Sequence, residues 1–243
     1  MHNRVVDKFL EGLYGYEIVL GALGVLLFVV LVPMLLRQIW RDKPYVGLLA
    51  FFLLPVAMIG FPGLKSIQYK DGVLSLEKDA HQLQQNPTDK ALREKVARQV
   101  ADIGSRPSTN PETMTSVAQA QFELGNHAAA ETAVDQALKE RPKLADAVKL
   151  KERIVIDRQL QELSAKVTQN PSDQRAKRQL EAVAHEAVKQ PIASPEMLAN
   201  IAAGEAAVGH TAEAAAFNKK ALAINPNLQR ARLLQQKIDS ASK

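Results

Sequence analysis

Two stretches of this chain carry no Asp, Glu, Lys or Arg: residues 18–36 and residues 44–64. Each is about twenty residues long, the length at which an α-helix rising ~1.5 Å per residue crosses a hydrocarbon layer ~30 Å thick. A backbone survives in that layer only if its N–H and C=O groups are satisfied internally, so both stretches are predicted to be transmembrane helices. Residues 37–43 between them are too few for a domain but enough for a tight reversal, which predicts a helical hairpin with both flanking segments on one side. With no charged residue inside either stretch, an ion or proton path formed by this chain alone is not expected.

The first stretch is not expected to be a cleaved leader. Residues 1–17 form a slightly acidic tail rather than a positive one, and the stretch ends in Pro33, Met34, Leu35 and Leu36 before Arg37, without a small-residue cleavage site. Tyr14, Tyr16 and Tyr69 fall at one interface level and Trp40 and Tyr45 at the other, as amphipathic rings prefer. Arg37, Arg41 and Lys43 concentrate positive charge in the short connection, and the positive-inside tendency then puts that loop in the cytoplasm. Residues 65–243 would lie on the other side, which for a bacterial inner membrane is the periplasm. Pro55, in the middle of the second stretch, predicts a kink, and Pro33 stands near the end of the first.

After Lys65 the chain is rich in Ala, Gln, Lys and Glu and poor in aromatics. The formal charge is +5 and the pI about 9.3. The positive residues are interspersed with acidic ones, without a basic run or interleaved aromatics, so a solvated helical surface is expected and nucleic-acid binding is not. There is no cysteine, which excludes disulfides, thiolate metal sites and cysteine nucleophiles.

This part of the chain repeats itself. Gln85-Asn86-Pro87-Thr88-Asp89 returns as Gln169-Asn170-Pro171-Ser172-Asp173, and the same offset of 84 residues carries Pro111-Glu112 onto Pro195-Glu196 and Gly125 onto Gly209. It also carries Ala137-Leu138 onto Ala221-Leu222, Pro142 onto Pro226, Leu150 onto Leu234 and Ile154 onto Ile238. One register held without a gap predicts an internal duplication, residues 81–154 matching 165–238. Apolar residues recur three and four apart, as in Leu92, Val96, Val100 and Ile103 or Leu180, Val183 and Ala187, the spacing of one buried helix face. Prolines 87, 107, 111, 142, 171, 191, 195 and 226 punctuate these helices, and the longest uninterrupted piece runs from Lys143 to about Val167. The fold class expected is therefore all-α: a two-helix transmembrane hairpin followed by a stacked α-solenoid of about nine helices, capped by a last helix from Asn227 to about Ser240.

The clearest part of each copy resembles a tetratricopeptide repeat (TPR). Ala118, Gly125, Ala130, Ala137-Leu138 and Pro142 stand at that family's small, turn and closing positions, as do Ala202, Gly209, Ala214, Ala221-Leu222 and Pro226. The match covers about 34 residues per copy. The family's early Trp and Tyr are replaced by Met114 and Gln121, then by Leu198 and Glu205. The resemblance implies a protein-binding surface on the first helix of each unit: Glu112, Thr115, Gln119 and Phe122, then Glu196, Ala199, Ala203 and Ala206. The Lys and Arg residues of the carboxylate-clamp subclass are missing there, so an apolar helix or partner domain is expected rather than an acidic tail.

No catalytic, cofactor-binding or metal site is expected. His2, His81, His127, His185 and His210 lack paired ligand spacing and are predicted to be turn or surface residues, and no phosphate-cradling glycine run or nucleophile elbow is present. The functional expectation is a membrane-anchored scaffold or adaptor that binds protein partners, subunits of an inner-membrane complex, with no small-molecule substrate. Two alternatives stand beside it. One is a periplasmic, chaperone-like factor resembling those of cytochrome c maturation, and the other is a permanent structural subunit of a larger membrane assembly.

Overall fold

The computed structural model describes residues 11–40, 50–190 and 194–241. Among these the secondary structure is ten α-helices and no strand. They are α1 Gly15–Ile39, α2 Leu53–Gln85, α3 Lys90–Gly104, α4 Pro111–Leu124, α5 His127–Glu140, α6 Ala145–Gln169, α7 Gln174–Val188, α8 Pro195–Val208, α9 Thr211–Ile224 and α10 Gln229–Ala241. The chain divides into two units, one of residues 1–74 with 102–110 and one of residues 75–101 with 111–243.

In the first unit, α1 is long and apolar enough to cross a membrane: residues Gly15–Arg37 have a mean hydropathy of 2.9, and only 6% of that stretch is buried. Val19, Leu23, Leu26, Val29 and Val30 are exposed, a distribution costly in water and normal in lipid. Where two spans are predicted, α1 is the one helix among the described residues that meets this requirement. Residues 44–49 of the second predicted span, and Arg41, Asp42 and Lys43 of the loop, lie outside the described residues. Residues 53–64 of the second span are the beginning of α2, which runs 33 residues without a break past Lys65 to Gln85. Pro55 sits in the first turn of α2, where a missing N–H costs little, and Pro62 is the interior proline. The two helices touch at glycine. A methyl group on Gly24 would come within 2.9 Å of the side chains of Met58 and Ile59, and one on Gly21 within 3.6 Å of Pro62. Phe28 meets Phe52 edge to face at 5.8 Å.

The second unit holds the main core, with Phe122, Val134, Leu150, Leu160, Leu180, Met197 and Ile201 essentially sealed from solvent. Sequence neighbours pack together, α4 on α5, α6 on α7 and α8 on α9, and α8 also contacts α6, α7 and α10. Helix boundaries follow the prolines and glycines. Pro111 and Pro195 open α4 and α8, and Gly125 and Gly209 close them at φ of 92° and 99°, a region nearly strain-free only for glycine. The turns of the two stretches share backbone bonds: Asn126 N donates to Gln121 O and Ala130 N to Asn126 O, as His210 N does to Glu205 O and Ala214 N to His210 O.

Candidate functional site

An open groove of about 650 Å³ lies among the end of α2, the outer side of α4 and the first turns of α6. Glu77, Ala80, His81 and Gln84 line it from α2, Glu112, Thr115, Ser116 and Gln119 from α4, and Asp146, Lys149, Leu150, Glu152 and Arg153 from α6. α4 starts at Pro111, which presets its first φ, and residues three and four apart then share its outer face. Glu112, Thr115, Ser116 and Gln119 form that stripe.

Beneath the groove lies a buried polar cluster. Glu123 has no exposed surface, and its Oε1 accepts hydrogen bonds from Arg153 at 2.8 Å, from Gln84 Nε2 at 2.8 Å and from Gln119 Nε2. Arg153 also donates to Gln119 Oε1 at 3.2 Å, and its guanidinium stands 4.8 Å over the ring of Phe122. Arg93 donates to the Glu123 carbonyl at 3.1 Å; its burial, against the carboxylates of Glu196 and Glu123, leaves its pKa lowered. A buried carboxylate costs several kcal/mol unless neutralised and hydrogen-bonded, and here α2, α4 and α6 each contribute a hydrogen-bond partner to it, while α3 holds the backbone carbonyl of the same residue. The cluster thereby joins the helices whose spacing sets the groove.

A second buried cluster ties α5, α6 and α8. His127 Nδ1 is 2.5 Å from Asp157 Oδ2 and its Nε2 is 2.9 Å from Ser194 Oγ, while Asn200 and Gln161 donate to Asp157 at 2.8 Å and 3.0 Å. The order Ser, His, Asp is that of a nucleophilic triad, but the serine is not presented for chemistry. Ser194 is fully buried; its hydroxyl caps α8 by accepting from Met197 N at 3.3 Å and donates to Glu196 at 3.2 Å. His127, predicted to be a turn or surface residue, opens α5 but is largely buried and stacked on Phe122 at 4.7 Å. Among the described residues no group of His, Asp and Glu is arranged to hold a metal ion.

The eight residues predicted to form one partner-binding face are dispersed. Glu112, Thr115 and Gln119 line the groove, Glu112 as the ion-pair partner of Arg141 and Thr115 with its hydroxyl donating to Pro111 O at 2.7 Å. Phe122 is wholly in the core, under Arg153 and His127. Glu196 and Ala199 border a different recess with His127, Asn200 and Arg230, and Ala199 itself is fully buried. Ala203 and Ala206 border a third, with Leu233 and Leu234. The physical reason is that α4 and α8 are covered on more than one side, so a stripe that would be free on an isolated helix pair is partly consumed by α6 and α10. Sequence reading missed Glu77, His81, Gln84, Glu123 and Arg153. A signal existed: at the 84-residue offset Gln119 and Glu123 stand opposite Ala203 and Ala207, polar side chains exchanged for alanine, and Arg153 stands opposite Lys237.

Comparison of the chain with protein-family profiles, with curated proteins and with solved structures finds no match.

Proposed function

We propose that this chain is a membrane-anchored scaffold or adaptor whose TPR-like helical solenoid holds a protein partner beside an inner-membrane complex. The observation that carries the reading is the open groove on α2, α4 and α6, walled by polar and charged side chains and built over a buried hydrogen-bonded cluster. A shallow groove with fixed walls suits a peptide segment, which gains affinity from preorganised side chains without being engulfed. The anchor in this reading is a two-helix membrane hairpin with the larger unit in the periplasm. The contacts of Gly21 with Pro62, Gly24 with Ile59 and Phe28 with Phe52 support it, because the α2 partner numbers fall as the α1 numbers rise, as in antiparallel helices.

The test is site-specific photo-crosslinking in native membranes. A photoreactive residue at Ser116 should give a discrete protein adduct, whereas one at exposed Glu213 should not. Filling the groove with Trp at Ser116, while the crosslinker is moved to Gln119, should remove the adduct. An adduct that persists in the filled variant, or none at either groove position, would defeat the reading.

A further inference from the structure

We infer that the groove on α2, α4 and α6 selects a cationic, amphipathic segment of its partner. This deepens the groove reading and rests on it. The chain as a whole is basic, with a formal charge of +5, yet the groove wall runs the other way. Glu77 on α2 and Asp146 and Glu152 on α6 are exposed carboxylates along it, and among the described residues no ion pair engages any of the three. Glu112 is held by Arg141. Of the lining cations, Arg153 is bound to Glu123 below the surface, which leaves Lys149 as the exposed positive charge on the wall. Gln84 and Gln119 each commit an N–H to Glu123.

An acidic segment entering here would bring like charges against three exposed carboxylates, and a neutral one would gain no ion pair from them. A segment bearing Lys or Arg meets them with opposite charge and retains a water-exposed side, where such pairs form without full desolvation. The wall is about half polar, its apolar side chains being Ala80, Leu144 and Leu150. That favours an occupant with one narrow apolar stripe flanked by positive residues, rather than a broad hydrophobic helix.

The full chain in neutral maltoside micelles can be titrated into a fluorescent Leu/Lys peptide about 16 residues long, enough to form a helix when bound. Fluorescence anisotropy should show binding that weakens as salt is raised. Replacing Glu77, Asp146 and Glu152 together by Lys should weaken it by about tenfold, while Glu213→Lys, outside the groove, should leave it unchanged. The same peptide with Glu in place of Lys should not bind, and one with Ser in place of Leu should bind less well. Four results would each overturn the inference: tighter binding of the Glu peptide, equal binding of the Ser peptide, no effect of the triple replacement beyond that of Glu213→Lys, or no binding of the Leu/Lys peptide at all. If the Glu peptide binds and Ser116→Trp abolishes that binding, the groove stands as a docking site and only its charge preference is refuted. Loss of the groove-specific crosslink in membranes would instead remove the docking site itself.

Discussion

Ala118, Ala130 and Ala137 in the first of the two stretches related by 84 residues, and Ala202, Ala214 and Ala221 in the second, all have no exposed surface. Gly125 and Gly209 turn the chain at nearly the same positive φ. Between these shared landmarks the side chains part company. Residues 119, 122, 123 and 153 are Gln, Phe, Glu and Arg, and their counterparts 203, 206, 207 and 237 are Ala, Ala, Ala and Lys. Small residues at the helix contacts and glycine at the turn are enough to reproduce a backbone. A buried ionic cluster needs all of its members together, and among the described residues it occurs in the first stretch alone, beneath the groove.

The largest expected difference lies at that cluster. Arg153→Met leaves the Glu123 carboxylate buried without its cation and should cost about 3 kcal/mol, whereas Lys237→Met, at an exposed position, should stay within about 0.5 kcal/mol. Thermal or urea unfolding of the full chain, followed by circular dichroism, measures both. Removing both partners together, Glu123→Ala with Arg153→Met, leaves no orphaned charge and should recover part of the loss. Equal costs at 153 and 237 would erase the distinction between the two stretches.

A smaller difference is expected at the turns. Alanine at Gly209 pays only for the positive φ, about 1 kcal/mol, since an added methyl group meets nothing within 4 Å. Alanine at Gly125 bears the same strain and in addition runs into the Glu196 carboxylate. Gly125→Ala should therefore destabilise more than Gly209→Ala, and the excess should vanish in a Glu196→Ala background. The same unfolding measurement decides it.

The smallest effect concerns the helix starts. Asp173 caps α7 by accepting from Arg175 N at 3.1 Å and Ala176 N at 2.9 Å, while Asp89 accepts from Leu92 N at 3.0 Å. The hydrogen bond from Ala176 and, more weakly, the charges of Lys166 and Arg175 hold the Asp173 carboxyl below the ordinary aspartate range. A carboxyl depressed by folding stabilises the native state fully above its unfolded pKa and loses that contribution as pH falls through the lowered folded value. The stability gap between the native chain and Asp173→Asn should be constant near neutrality and should close as pH falls from about 5 toward about 3. A gap that widened on acidification would contradict this cap.

Local chemistry made parts of this architecture readable in advance. Helical spacing of apolar residues and the absence of alternating patterns read as an all-helical chain, and an uncharged stretch of bilayer length read as the apolar N-terminal helix. Proline and glycine marked where helices stop: Pro111 and Pro195 are first residues of helices, and Pro87, Pro142, Pro171 and Pro226 fall between them. These signals are local, set by φ restriction, missing N–H groups and residue spacing, and they need no knowledge of what lies across the fold. The continuity of α2 past Lys65 was not legible, because a change in composition from apolar to polar does not by itself end a helix.

The site belongs to the other kind of information. Glu123 and Arg153 are thirty positions apart and read in sequence as two surface charges, and His127 and Asp157 likewise. Only packing of α2, α3, α4 and α6 turns Gln84, Arg93, Gln119, Glu123 and Arg153 into one cluster, and only packing of α5 and α6 on α4 makes Phe122 a core residue. Helix periodicity by itself determined which residues share a stripe on each helix. Which stripes are left open to solvent is a property of how many neighbours cover each helix, and that was decided by the tertiary structure.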